Sequence, residues 1–223
     1  MQRAYRRHPQ RDVFRIIDGK KQMVEPYLFS TPEETGRANL KSSSHIESIA
    51  FDGETLTTKA IDEKGREIIQ RLPAVSGKKI DGLFDYSSER QKIKEKGPIP
   101  EGRYKVNPQK IEKRTLKDDT IGIVGSLVNI KKVGRFPGGR YAWGDCRLEI
   151  QQTAQQKKES GRSGFSIHGG KQPGSAGCID LMDKDKDFCS FLEKYRGVEQ
   201  KEVPLEVQYH KQKIRYSPKV KNK

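Results

Sequence analysis

The segment from residue 46 to residue 77 constrains the fold more than any other part of the chain, because it reads as consecutive β-strands. Its sequence, IESIAFDGETLTTKAIDEKGREIIQRLPAVSG, is rich in Ile, Thr, Phe and Val and contains the two turn signals DG and DEKG. Short runs of β-branched and aromatic residues separated by such turns are typical of hairpins. The segment therefore predicts an antiparallel meander.

Other segments predict further strands and one helix. The strand candidates are VFRIID near the N-terminus, GRYKV after two prolines, GSLVNIKKV, CRLEIQQT, GFSIHG and VPLEVQYH. A helix is expected from Asp183 to about Arg196, with acidic residues in its first turn and with apolar residues at i, i+3, i+4 and i+7: Phe188, Phe191, Leu192 and Tyr195. The expected fold class is mostly β, a sandwich or partly closed barrel of antiparallel and mixed strands with one helix.

Composition and charge bound the organisation of the chain. Hydrophobic residues make up 32% of the 223 residues, charged residues 34%, and the net charge is +15. The basic residues cluster at both ends, which fits either solvated ends or a patch for anionic partners. We expect a basic N-terminal extension over residues 1–45, a candidate secretion or adaptor segment, then one main domain over residues 46–210 and a basic tail over residues 211–223.

Several classes of protein lack support in the sequence. No apolar run approaches the ~18 residues of a membrane span, and the N-terminus lacks the apolar stretch of a secretory signal. The four histidines show no metal-binding spacing, so neither a metal nor another cofactor is expected. The chain has three cysteines, an odd number that leaves at least one free thiol. Cys189 lies next to the apolar stripe of the helix, which favours a packing role, and whether it pairs with Cys146 stays open.

One short segment carries the chemistry. In GFSIHGGKQPGSAGCIDLM, His168 ends a predicted strand and Cys178 follows a glycine-rich loop that could bring thiol and imidazole together. Gly177 would let a substrate carbonyl approach the amides of Gly177 and Cys178, as an oxyanion hole requires. Ser175 could orient the loop or bind the histidine. The alternative is a glycine-rich surface loop with a chance histidine and an unreactive buried cysteine.

FSIHGG followed by SAGCIDL resembles the active-site signature of the L,D-transpeptidase (YkuD-like) catalytic domain. Three further segments agree in order, LTTKAIDEKGREIIQRLPAVSGKK, KGPIPEGRYKV and WGDCRLEI, so that the resemblance covers about residues 46–210. The chain departs from the common pattern in a shorter spacing from His168 to Cys178. Ala176 stands where a second histidine is usual, and Asp180 where an Arg or Asn is frequent. The short form is similar to the branch of L,D-transpeptidase-like toxins that the type VI secretion system delivers between bacteria.

The resemblance implies a function on peptidoglycan. Members of that branch act on tetrapeptide stems as L,D-carboxypeptidases and exchange the terminal D-residue. The resemblance implies that Cys178 is the nucleophile and His168 the base, and that Gly177 and Ser175 belong to the oxyanion loop. Gly169 and Gly170 would keep the approach to the thiol open. Candidate wall or carboxylate-binding residues, each of which could equally be structural, are Arg162, Tyr104, Tyr141 and Trp143; for Trp143 a place in the core is favoured.

The resemblance also implies partners and a destination. These are peptidoglycan stems, a cognate immunity protein, a component of the secretion machine, and action in the periplasm of a target bacterium. One alternative is a non-catalytic cell-wall-binding module on the same scaffold. A nucleic-acid-binding protein is disfavoured because aromatic residues are not interleaved with the basic clusters. The sequence leaves open whether hydrolysis, exchange or cross-linking dominates.

Overall fold

The computed structural model of the chain describes residues 14–17, 20–23, 43–115, 118, 136 and 139–215. The chain forms two compact units, Met1–Leu40 and Lys41–Lys223. In the first unit, strands β1 (Phe14–Ile17) and β2 (Lys20–Met23) form an antiparallel hairpin. The strand predicted in VFRIID is therefore confirmed.

The second unit begins with the predicted meander, formed by β3 (His45–Phe51), β4 (Thr55–Ile61) and β5 (Glu67–Pro73). In each turn an aspartate accepts backbone N–H groups. Asp52 Oδ1 binds the amides of Glu54 at 2.8 Å and Thr55 at 2.7 Å. Asp62 Oδ1 accepts the N–H of Lys64, within the DEKG turn, and the N–H of Arg66, the residue after the turn, both at 2.9 Å. Both turn signals therefore act through local side-chain to backbone bonds.

The remaining strands complete one mixed sheet and a small two-stranded one. They are β6 (Val75–Ser76), β7 (Phe84–Asp85), β8 (Gly102–Val106), β9 (Glu112–Lys113), β10 (Cys146–Gln151), β11 (Ser166–His168), β12 (Ile179–Asp180), β13 (Val203–Val207) and β14 (Lys213–Ile214). The main sheet has the order β5-β4-β3-β13-β8-β10-β11-β12-β6, β9 pairs with β10, and β14 pairs with β7. The candidate strand GSLVNIKKV lies outside the described residues.

The two ends of the main sheet are neighbours in sequence, since only Ala74 separates β5 from β6. A sheet whose edge strands are joined by one residue has to curl round, so it is nearly closed. The pairs β3–β13 and β11–β12 are parallel and the other described pairs are antiparallel. The expected mostly β fold with a partly closed, mixed sheet is confirmed.

Alternate residues of the central strands form the core. In β13 the buried residues are Val203, Leu205 and Val207, with exposed residues between them, as a strand with one covered face requires. The helix α4 (Asp185–Tyr195) covers this core through the fully buried Phe188 and Leu192. This is the predicted helix, although it starts two residues later than expected.

In the part of the chain that the structure describes, three short α-helices were not predicted: α1 (Ser88–Gln91), α2 (Gly139–Trp143) and α3 (Ala154–Ser160). Helices of four to seven residues are too short to show an apolar stripe, and only tertiary contacts or caps stabilise them. For α3 these are a capping box of Thr153 and Gln156 and a left-handed Gly161 at its end.

A disulfide joins Cys146, the first residue of β10, to Cys189 of α4, with 6.6 Å between their Cα atoms. That separation is within the range of ordinary disulfides. Both residues are buried. Cys189 therefore packs in the core, as its position next to the apolar stripe favours, and it also forms the disulfide. Cys178 remains free, which confirms the unpaired thiol expected from the odd count.

Reduction of the disulfide should destabilise the protein. The linked cysteines are 43 residues apart, and the loss of such a link lowers the free energy of unfolding by about 3 to 4 kcal/mol. Urea unfolding with and without a reductant measures the difference. The variant Cys178→Ala should keep the sensitivity to reductant, and Cys146→Ala with Cys189→Ala should lose it. Superimposable curves for the unaltered protein in the two conditions would show that the disulfide does not contribute.

Candidate active site

The parallel pair β11–β12 brings the predicted catalytic residues together. Ile167 pairs with Ile179 and His168 pairs with Asp180. Because side chains alternate along a strand, the two isoleucines enter the core while His168 and Asp180 project from the opposite face. Cys178 lies at the start of β12, and the interaction of its side chain with His168 raises the pKa of the imidazole. His168 and Cys178, which are ten residues apart in the sequence, are therefore neighbours in the structure.

The imidazole of His168 is buried and oriented by its own neighbour. Its relative exposure is 5%, and its Nδ1 lies 2.5 Å from the carbonyl oxygen of Gly169. Because a carbonyl only accepts hydrogen bonds, Nδ1 carries the proton in this contact. Nε2 is therefore the ring nitrogen left to exchange a proton with the thiol of Cys178.

The charge state of His168 follows from its surroundings. Burial opposes the charged imidazolium, but the hydrogen bond to Cys178, the charge of its thiolate and the Asp180 carboxylate together raise the pKa of His168 to about 9. At neutral pH the imidazole is therefore protonated beside the sulfur. An imidazolium is the partner that stabilises a thiolate.

Asp180 is a component of the site that was noted in the sequence only as a departure from a family pattern. Its carboxylate is 1% exposed and accepts the N–H groups of Met182 at 2.8 Å and Gly174 at 2.9 Å. Burial raises the pKa of Asp180, against the lowering effect of the positive His168 and of these two hydrogen bonds. Asp180 therefore ties the glycine-rich loop to β12 and places a carboxylate next to His168.

Trp143 lies against the histidine rather than in the core. Its ring centroid is 4.7 Å from that of His168, and the ring is half-buried. The guanidinium of Arg147 lies over the same indole, 4.9 Å from its centroid. The favoured core position for Trp143 was therefore wrong. Nothing in the sequence indicates this contact, because α2 reaches the site only through tertiary folding.

Ser175 orients the loop, the first of its two predicted alternatives. Its hydroxyl donates to the carbonyl oxygen of Cys178 at 2.5 Å and accepts the N–H of Gly177 at 3.3 Å. Among the described residues, none accepts a hydrogen bond from the Cys178 N–H. Of the Gly177 and Cys178 amides, that of Cys178 is thus available to an incoming carbonyl oxygen, and the oxyanion role of this loop stays a prediction.

Arg162 anchors the loop between His168 and Cys178 through hydrogen bonds from its guanidinium. Its guanidinium donates to four backbone carbonyls, those of Gln91 at 2.5 Å, Pro98 at 2.6 Å, Gly97 at 2.8 Å and Ala176 at 3.2 Å. Its charge also interacts with that of Cys178. These contacts give Arg162 a structural and electrostatic position, and its predicted contact with substrate stays a prediction.

The paired glycines after the histidine pack closely against other elements. A Cβ on Gly169 would lie 2.5 Å from Cγ of Asp185, and one on Gly170 would lie 3.2 Å from the carbonyl oxygen of Ala142. Asp185, buried at the start of α4, accepts the amides of Asp145 at 2.6 Å and Cys146 at 2.9 Å. The acidic start of the helix was attributed to the helix alone, whereas Asp185 joins it to β10.

The other candidate wall residues occupy different environments. Tyr104 is buried, and its hydroxyl donates to the carbonyl of Pro100 at 2.7 Å. Tyr141 is 54% exposed, and its backbone carbonyl accepts the N–H of Lys171 at 2.9 Å.

No group of three or more potential ligands in the described part of the chain is arranged to hold a metal ion. Among the helices described, none is long and apolar enough to span a membrane.

The sequence pattern of the Tlde1 domain matches residues 70–205, which is more than half of the chain and includes all of the site described above. The chain belongs to the Tlde1 domain family. This is a family of type VI secretion effectors.

Other comparisons are more distant. No curated protein sequence matches the chain. Among solved structures, that of Bd1075 from Bdellovibrio bacteriovorus is similar with 16% identity and a TM-score of 0.44. The match covers 79% of this chain and 52% of the Bdellovibrio chain, so this chain spans about half of that protein.

Gly177 should not tolerate a side chain. Its φ is +118°, and a Cβ would clash with Nη2 of Arg162 and with the ring of Phe165. Gly177→Ala should lower the free energy of unfolding by more than the about 1 to 3 kcal/mol of backbone strain alone. Gly164→Ala is the matched control, because Gly164 also has a positive φ but open space around it. Equal losses in chemical unfolding of the two variants would contradict the packing argument.

The pKa of His168 can be measured directly. In the unaltered protein the imidazole ring should titrate near pH 9 when followed by NMR. Cys178→Ala removes the thiolate and its hydrogen bond, so the ring should titrate at lower pH. Asp183→Asn, which removes an exposed carboxylate from the same segment, should leave the titration unchanged. A His168 midpoint insensitive to Cys178→Ala would show that the two side chains are not coupled.

Proposed function

We propose that this protein is a peptidoglycan-modifying cysteine enzyme that acts on tetrapeptide stems as an L,D-carboxypeptidase or by exchange of the terminal D-residue. The observation that carries the proposal is the contact between the free, buried thiol of Cys178 and the imidazolium of His168. Membership in a family of type VI secretion effectors supports an antibacterial role. The resemblance of HGGKQPGSAGC to L,D-transpeptidases supports the class of substrate.

The first half-reaction forms a thioester. The thiolate of Cys178 attacks the carbonyl carbon that diaminopimelate contributes to the bond with D-alanine, and the carbonyl oxygen becomes an oxyanion near the Cys178 amide. The carbon–nitrogen bond then breaks. His168, protonated at neutral pH, gives its proton to the departing amine of D-alanine. The enzyme is left acylated, with a neutral imidazole.

The second half-reaction releases the shortened stem. Water attacks the thioester, neutral His168 takes its proton, and the sulfur leaves as thiolate, so that the imidazolium–thiolate pair is restored. When the amine of a D-amino acid attacks instead, a new peptide bond forms and the terminal residue is exchanged. Since Ala176 stands where related enzymes carry a second histidine, His168 is the imidazole available in this loop for both steps.

The proposal includes a destination and partners. After delivery by the secretion machine, the enzyme would act in the periplasm of a target bacterium. The peptidoglycan stems that are its proposed substrate are found there. A producing cell would require an immunity protein that covers the site. A non-catalytic cell-wall-binding module on the same scaffold is the second candidate, and it is supported only by the net charge of +15.

The decisive experiment incubates the protein with disaccharide-tetrapeptide muropeptides, with and without an added D-amino acid, and analyses the products by mass. We expect loss or replacement of the terminal D-alanine, reduced at least about 10³-fold in Cys178→Ala, because the nucleophile is essential. Cys178→Ser tests whether a hydroxyl in the same position suffices.

The controls separate an enzyme from a binding module. Thiol labelling at neutral pH should modify Cys178 rapidly in the folded, oxidised protein and should be slowed in His168→Gln. Lys157→Gln, on an exposed face of α3, should leave turnover unchanged. Unchanged muropeptides with a correctly folded protein that still binds them would overturn the catalytic proposal in favour of the module.

A further inference from the structure

A large basic cleft lies beside the catalytic loop. Its volume is about 1440 Å³, larger than most small-molecule pockets. The end of β5, the turn before β10, the segment that leads into α4 and the residues around β14 form its walls. Gly170, Lys171 and Pro173, from the loop that joins His168 to Cys178, also line it. The loop that joins His168 to Cys178 therefore forms part of one wall of the cleft.

The acidic groups of the cleft already have hydrogen-bond or ion-pair partners. Glu54 pairs with Lys211 at 2.8 Å, and Asp145 pairs with Arg140 and Lys186, both at 3.0 Å. The carboxylate of Asp185 is buried against two backbone amides. Asp183 lies 3.6 Å from the ammonium of Lys184. Each acidic side chain of these walls therefore already has a polar partner.

Three cations of the cleft are available to a ligand. Arg71 on β5, Lys171 in the catalytic loop and Arg215 after β14 are all exposed. Within the described residues, no carboxylate lies within ion-pair distance of any of the three. They come from three separate elements and share one cavity. The arrangement is thus a positively charged surface of the kind that concentrates an anionic ligand.

We propose that this cleft binds the carboxylates of the peptide stem, and that Arg71, Lys171 and Arg215 determine the preference for stems with free carboxylates. The inference rests on the proposed function and names the part of the protein that would select its substrate. A tetrapeptide stem ends in a carboxylate and carries others on its acidic residues. The cleft has room for several residues of such a peptide.

The position of Lys171 links binding to the catalytic geometry. Its backbone N–H donates to the carbonyl of Tyr141 at 2.9 Å, and three residues later Gly174 is held by Asp180. A carboxylate bound by the Lys171 ammonium would therefore rest on a loop that is anchored at both ends. These anchors fix the loop relative to His168, so the cleft can position a stem as well as attract it.

The test compares two triple variants that each remove three positive charges. Arg71→Gln, Lys171→Gln and Arg215→Gln alter the cleft; Arg103→Gln, Lys157→Gln and Lys158→Gln alter exposed cations outside it. With disaccharide-tetrapeptide, the cleft variant should show a KM about tenfold higher with kcat nearly unchanged, because three screened ion pairs are lost. The surface variant should match the unaltered protein. Circular dichroism and thermal unfolding verify that both variants fold.

Substrate chemistry provides the second comparison. Amidation of the stem carboxylates should raise KM for the unaltered protein and have little effect in the cleft variant, since the same interaction is removed from either side. Raising the salt concentration should weaken binding by the unaltered protein more than by the cleft variant. An equal effect of amidation on both proteins would overturn the proposal.

Direct binding separates this inference from the proposed function. The affinity of Cys178→Ala for disaccharide-tetrapeptide is measured by calorimetry, with and without the three cleft substitutions, so that no turnover is needed. Weaker binding in the cleft variant without any turnover by the unaltered protein would support the cleft and refute the enzyme. Turnover with equal affinities and equal KM values would support the enzyme and refute the cleft.

Discussion

The parallel pairing of β11 with β12 is the constraint on which the site depends. It sets His168 opposite Asp180 and directs both away from the core, while the alternate residues Ile167 and Ile179 anchor the two strands inside it. A parallel pair requires a crossover, which here is the ten-residue glycine-rich connection from Gly169 to Cys178. The connection is therefore both the link between two strands and the loop that carries the thiol of Cys178.

Buried charges organise the chain around this pair. Asp180, Asp185 and Arg162 are each less than 9% exposed, and each satisfies its hydrogen-bonding groups mainly through backbone groups. Burial of a charge is costly unless it is hydrogen-bonded, so each of these residues permits only a few arrangements of its neighbours. The same groups set the electrostatics of the site, since Asp180 acts on His168 and Arg162 acts on Cys178.

The success of sequence reasoning depended on whether a feature was local. The meander and α4 were predicted because the period of their apolar residues matches a strand or a helix over seven residues or more. The pairing of Cys146 with Cys189 could not be predicted, because it requires the start of β10 and the helix α4 to meet across 43 residues. Trp143 was misplaced for the same reason: an indole is equally compatible with a core and with the wall of a site, and only α2 decides between them.

The sequence by itself determined the mostly β class and the helix after the loop, and it singled out Cys178 and His168 as the candidate catalytic pair. These are properties of short segments, namely residue periodicity, turn chemistry and a spacing of ten residues. The tertiary structure alone decided which groups surround that pair: the Asp180 carboxylate, the indole of Trp143, and the Arg162 guanidinium bound to four carbonyls. Electrostatic and packing interactions act through space, and the curled sheet brings residues from distant parts of the chain within a few ångströms of one thiol.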